Sequence, residues 1–215
     1  MYEYFNTLIN IGLSSYHVPL SLVIFMFFKK NEFSKYEVSL FFLVSYNALI
    51  ILIDQLILDG HIDNYNPIYN IQTIIDFCTI VFIFSKILEN KQQKLLNLLK
   101  YIIVIYLSIS ILELVFINDL FSINLISNNL AKFLIIIIAL ITIYLSEIKT
   151  TITTSQKIFT YTLLFYSITT FSISLFEEFI RLKVNYILYT LWTINILLTI
   201  CYNLFLTLSI WKLKR

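Results

Sequence analysis

Seven ionisable side chains interrupt apolar stretches of this chain: Asp54, Asp76, Glu113, Lys132, Glu177, Glu178 and Arg181. His17 is the one histidine inside such a stretch, because His61 falls in a polar segment. A charge among apolar groups is unfavourable unless it is paired or hydrated, so each of these residues is a candidate site. Carboxylates in such surroundings can bind a proton or a cation, or hold the amine of an amphiphile. Asp76, Glu113 and His17 are also the set that an intramembrane lipid-modifying enzyme would use for acid–base work. A single histidine near carboxylates supplies one metal ligand at most, and is more commonly a hydrogen-bonded core residue. No metal and no other cofactor is expected.

Spacing joins these residues to neutral polar partners. Gln72, Asp76 and Thr79 fall on one helical face, and Asn6, Asn10, Ser14, His17 and Ser21 on another. Thr160, Ser167, Thr170, Ser174, Glu177 and Arg181 form a third face, and Asn195, Thr199, Asn203 and Thr207 a fourth. Such faces are expected to turn away from lipid, since an unsatisfied polar group in hydrocarbon is unfavourable. They serve either interhelical packing through hydrogen bonds or a binding site.

The elements that must position these residues follow from composition. Hydrophobic residues make up 59% of the 215 and charged residues 13%, against roughly 45–50% and about 25% in soluble proteins. Two glycines and two prolines are too few for the turns of a β-barrel and suit long helices with short links. Seven apolar stretches have the length of a membrane span, about 20 residues. They run from about Tyr4 to Phe28, Tyr36 to Leu58, Pro67 to Leu88, Leu95 to Ile117, Leu130 to Ser146, Ile158 to Ile180 and Tyr186 to Trp211. Pro67 suits the first turn of its helix. The expected fold is an all-α integral membrane bundle of seven transmembrane helices, a single domain over residues 1–215.

Lys and Arg favour cytoplasmic loops. With the N-terminus outside, Lys29, Lys30, Lys35, Lys86, Lys91, Lys94, Lys100, Lys149, Lys157, Lys212, Lys214 and Arg215 flank the inner face. Only Lys132, Arg181 and Lys183 flank the outer one. This distribution sets the N-terminus outside and the C-terminus in the cytoplasm, and the expected location is a bacterial inner membrane. Met1-Tyr2-Glu3 has no basic lead and no small-residue cleavage pattern follows, so the first span reads as a retained helix. All seven intramembrane ionisable groups then fall in the outer half. Asp76 lies nine residues past Pro67, roughly 13 Å deep at 1.5 Å per residue. Glu113, Lys132, Glu177, Glu178 and Arg181 are long enough to reach the interface, whereas the short side chain makes this harder for Asp76 and, to a lesser degree, for Asp54. From this outer cluster Asp54, Asp76, Glu113 and Lys132, with Gln72 and His17, form the expected ligand site. Cys78 and Cys201 fall within spans and read as buried, unpaired thiols.

Several activities are excluded. A retinal protein needs a lysine in its last helix, and residues 186–211 contain none. Seven-helix zinc hydrolases of the ceramidase and adiponectin-receptor type need three histidines, and this chain has two. Seven-helix sugar transporters of the SWEET type use prolines in both repeats, whereas Pro19 is the only proline well inside a span here and the halves show no repeat. No phosphate loop, metal-ligand pair or nucleophile elbow is present, and a net charge of +2 suggests no nucleic-acid partner.

The third span, Ile68 to Phe77 with Asn70, Gln72 and Asp76, resembles a stretch carrying a His, a Tyr and then a Glu in a family of small uncharacterised seven-transmembrane-helix proteins of Bacteroidetes-type bacteria. The seventh span, with Leu191-Trp192, Asn195, Asn203 and Trp211-Lys212, is similar too. An Arg and a Glu early in that family's fifth span correspond to Asn129 and Lys132 here. The resemblance implies the seven-helix topology and no particular activity. The expected role is a non-enzymatic sensor or accessory protein, embedded in the lipid bilayer. It takes a small amphiphilic or cationic ligand from outside and passes the change to a cytoplasmic or membrane protein partner. The alternatives are a small transporter or permease subunit using Asp54 and Asp76, and the lipid-modifying enzyme named above.

Overall fold

The computed structural model describes residues 2–29, 32–58, 66–89, 93–117, 125–149, 152–180 and 185–213, with the side chains of 2–6, 54–58, 66, 149, 176–180 and 185–189 excepted. Among them the regular structure is helical throughout: α1 (Tyr2–Ser14), α2 (His17–Lys29), α3 (Lys35–Leu58), α4 (Asn66–Leu88), α5 (Gln93–Phe116), α6 (Leu125–Lys149), α7 (Thr154–Ile180) and α8 (Asn185–Lys212). Seven stretches are long and apolar enough to cross a membrane, α1 and α2 together making one of them. Five of the seven expected spans agree with the observed helices to within a few residues.

The first and fifth differ for local chemical reasons. Pro19 has no N–H to offer the Ser15 carbonyl four residues back, and its ring crowds that carbonyl. Val18 N–H reaches Ser15 O instead, at 3.4 Å, and the helix breaks at Ser15-Tyr16. The fifth helix starts at Leu125, so Ser127-Asn128-Asn129 lies in its first turns and does not precede it. Two other starts carry reciprocal caps. Ser34 N–H donates to Glu37 Oε2 at 2.7 Å while Glu37 N–H donates to Ser34 Oγ at 3.3 Å. Thr153 and Gln156 repeat the arrangement at the start of α7, at 3.0 and 3.3 Å.

The chain forms two compact units, residues 32–138 and residues 1–31 with 139–215. In the first, α4 packs against α3 and α5. Lys86 Nζ lies 3.0 Å and Lys35 Nζ 3.8 Å from Glu89 Oε1, tying the end of α4 to the start of α3. The hydrogen bond from Lys86 holds the Glu89 carboxyl below its ordinary range against an opposing effect of desolvation, with a lesser contribution from the Lys35 charge. The core of this unit holds Leu40, Phe41, Val81, Ile83 and Phe84, with Glu37, Asn47, Ser110 and Glu113 also buried.

In the second unit α8 packs against α7, α2 and α1. Its buried contacts are notably polar. Asn203, fully buried, donates from Nδ2 to Ser15 Oγ at 2.7 Å, at the break between α1 and α2. Ser209 Oγ donates to the Ser155 carbonyl at 3.0 Å, and the two hydroxyls lie 3.2 Å apart. Other hydroxyls close on their own helix: Thr160, Thr162, Thr170, Thr199 and Thr207 each donate to the carbonyl four residues back. Interhelical bonding therefore falls to a few Asn and Ser side chains, and most Thr hydroxyls on α7 and α8 do not carry it, contrary to the packing expectation.

The polar faces of α7 and α8 turn inward as expected, with Thr160, Ser167, Thr170 and Asn203 buried. That of the first span does not: Asn10, Ser14, His17 and Ser21 are exposed, and Gly12, Pro19, Val23 and Met26 are buried in their place. Gly12 explains the choice. A Cβ there would sit 2.9 Å from Ile196 Cγ2, so only glycine lets α1 approach α8 this closely. The outer surface is correspondingly apolar, with Phe28 90% and Phe116 77% exposed.

Gly12→Val should overpack this contact and lower stability by about 1–3 kcal/mol. Equilibrium unfolding in mixed detergent micelles measures this, and Ile196→Ala, which removes the opposing methyl, should restore most of the loss.

Candidate functional site

The unit of residues 32–138 contains two carboxylic acids with opposite circumstances. Glu113, near the end of α5, is 2% exposed. Its Oε1 accepts Ile126 N–H at 2.9 Å and its Oε2 accepts Ser127 N–H at 2.7 Å. These are first-turn donors of α6, which have no partner inside their own helix, and the helix dipole adds favourable charge. Glu113 is a helix cap supplied from a neighbouring helix. Both oxygens expected to face a ligand are committed to backbone.

The same turn is fixed from a second side. Asn128 Nδ2 donates to the Tyr69 hydroxyl at 2.8 Å, joining α6 to α4. Asn70, Ser127 and Asn128 are all buried. The start of α6 is thus held by α5 through a carboxylate and by α4 through a phenol. Lys132, one turn beyond Asn128, is half-buried and engaged with a partner.

Asp76 lies on α4, two turns past Tyr69. The residue as a whole is half-buried, but its Oδ1 is inaccessible and no protein group hydrogen-bonds to it. Gln72, one turn earlier, interacts with the carboxyl group, so the expected Gln72–Asp76 face is real. Two tyrosines complete the surroundings. Tyr46 on α3 lies within electrostatic range of Asp76. Tyr106 on α5 does as well, and its ring packs on Phe77 at 4.0 Å between centroids. The Tyr106 side chain is fully buried and its hydroxyl has no hydrogen-bond partner. Ser110 Oγ interacts with that hydroxyl but not in hydrogen-bond geometry, and its own proton goes to the Tyr106 carbonyl at 3.0 Å.

A carboxylate oxygen and a phenol, both buried and both lacking a protein partner, offer an acceptor for a cation or an N–H donor beside a group that can donate or accept. Leaving such atoms unmatched costs about 1–3 kcal/mol each. Among the described residues no three His, Cys, Asp or Glu side chains come together as a metal site would require.

The expected site residues are distributed as follows. Asp76 and Gln72 sit together, with Glu113 and Lys132 in the same unit. His17 belongs to the other unit and is exposed. Asp54 is on α3, but its side chain, those of Glu177 and Glu178, and Arg181 altogether lie outside the described residues. Cys78 and Cys201 are unpaired, the first half-buried and the second exposed, not buried as expected. Tyr46 and Tyr106 are additions. In an apolar span a lone tyrosine reads as core, and nothing local distinguishes it from Phe.

Glu113→Leu should lower stability by about 1–3 kcal/mol by stranding two buried N–H groups, whereas Asp76→Asn should leave the unfolding midpoint close to that of the wild type. Urea or SDS titration of the two purified variants checks the contrast. Comparison with protein-family models, with characterised proteins and with solved structures finds no match for this chain.

Proposed function

We propose that this chain is a multi-pass membrane protein of the bacterial inner membrane, N-terminus outside and C-terminus cytoplasmic. In this reading it is a non-enzymatic sensor or accessory protein that binds a small cationic or amphiphilic ligand at Asp76. One observation carries the ligand reading: the buried Asp76 Oδ1 has no hydrogen-bond partner in the protein, and the buried Tyr106 hydroxyl, which also has none, lies within electrostatic range of it. A primary amine would complete both, donating one hydrogen bond to the carboxylate and one to the phenol oxygen. Gln72 steadies the carboxylate, and Tyr46 adds a polar wall from α3.

Membrane insertion is supported by the seven long apolar helices and by an exposed surface rich in Phe, Ile and Leu, Phe28 and Phe116 among them. The sidedness rests on the distribution of Lys and Arg. In this orientation α4 runs inward from Asn66, so Asp76 would lie in the outer half of the membrane. The acid–base set of the enzymatic alternative loses support, because Glu113 has both oxygens bound to backbone N–H groups.

Octylammonium should raise the thermal unfolding temperature of the protein in nanodiscs, with Na+ and K+ as arms for a bare cation. Asp76→Asn should weaken that binding roughly tenfold or more, the worth of one charge-assisted hydrogen bond, while His17→Asn leaves it unchanged. Equal binding by wild type and Asp76→Asn would remove the site. For sidedness, a C-terminal fluorescent-protein fusion should fluoresce in the cytoplasm, and a tag before Met1 should be accessible to antibody from outside; the reverse pattern would invert the topology.

A further inference from the structure

We propose that the first membrane span is the seam of a parallel homodimer, with Asn10, Ser14, His17, Ser21, Ile24 and Phe28 packing against the same residues of a second copy. All six are exposed. They follow one another at intervals of four, three, four, three and four residues, the 3.5-residue repeat of a left-handed helix pair. The stripe stays on the exposed side across the break at Ser15-Tyr16, so α1 and α2 present one continuous face. The opposite face is already taken: Gly12 sits against Ile196 of α8, and Pro19, Val23 and Met26 are buried.

Chemistry selects the occupant. Asn10, Ser14, His17 and Ser21 are mid-span polar groups, and lipid offers them no hydrogen bonds. Ser21 satisfies its own proton by donating to the His17 carbonyl at 2.7 Å, which leaves amide, imidazole and hydroxyl groups for a partner. Each of these both donates and accepts, and none of the six carries a fixed charge. A face of this kind complements itself, whereas a face of lysines or carboxylates would not. Two copies inserted with the same sidedness are related by rotation about the membrane normal. Their first spans then run parallel, and each layer meets its own counterpart: amide on amide, imidazole on imidazole. Ile24 and Phe28 extend the seam with apolar layers.

This inference rests on membrane insertion but not on a ligand at Asp76. The test uses the full chain with Cys78→Ala and Cys201→Ala, reconstituted in liposomes after alkaline extraction has shown that it stays in the bilayer. Single cysteines are introduced at Ser14, His17 and Ser21 on the seam, and at Ile105 and Leu208 as exposed controls. Copper-phenanthroline oxidation should give disulfide-linked dimers at the three seam positions and little at the controls. Because each chain holds one cysteine, a seam covered by another part of the same chain would give no cross-link. Asn10→Ala should weaken the dimer roughly fivefold, one interhelical hydrogen bond in a membrane, as read by fluorescence energy transfer on lipid dilution. The proposal is overturned by absent seam cross-links, by equal yield at seam and control positions, or by cross-links in native membranes to a different chain only. Release by alkali would instead sink the membrane reading itself.

Discussion

A polar group deprived of water must find its partner inside the protein, and this chain is organised around the few places where that requirement is met or left open. The start of α6 is the best-met case. Two backbone N–H groups that no helix can satisfy internally are closed by both oxygens of Glu113, from α5, while Asn128 in the same turn reaches Tyr69 on α4. Three helices are thereby fixed to one another by directed bonds in a unit whose core also holds Leu40, Val81, Ile83 and Phe84. With α6 anchored, α4 presents Asp76 and Gln72, and α5 presents Tyr106, to the same neighbourhood.

Against that background the open case carries meaning. Asp76 could have been matched by a nearby donor as thoroughly as Glu113 is, and it is not. A fold that satisfies one buried carboxylate with two short bonds and leaves an oxygen of another without a protein partner has stability to spare at the second position, as functional sites commonly do. The second unit applies the same rule with neutral groups. Asn203 Nδ2 bonds Ser15 at the point where Pro19 disrupts the first span, so the side chain of one helix stabilises the defect in another, while Asn203 Oδ1 and Asn195 Oδ1 are buried without a protein partner.

Much of the helical layout was legible from hydropathy, because seven apolar runs separated by Lys, Asn and Asp have few alternative readings. What was less legible depended on tertiary contact. Span five looked short because Ser127-Asn128-Asn129 reads as a loop; a carboxylate 14 residues upstream makes it a helix start, and no local pattern announces that. Ser34 with Glu37 and Thr153 with Gln156 did carry a local signal, the three-residue capping interval, which would have placed the starts of α3 and α7. Periodicity shows that Asn10, Ser14, His17 and Ser21 share a side, but Gly12 decides which side meets α8. For the site, Asp76 and Gln72 were readable as a polar face, whereas Tyr46 and Tyr106 depend on which helices become neighbours.

An experimental density map of the protein in lipid nanodiscs, at a resolution that shows ordered water and small ligands, would be decisive. Non-protein density bridging Asp76 Oδ1 and the Tyr106 hydroxyl is the result this account requires. A lysine or other protein donor seated on Asp76 Oδ1, or acyl chains packed against it, would contradict it.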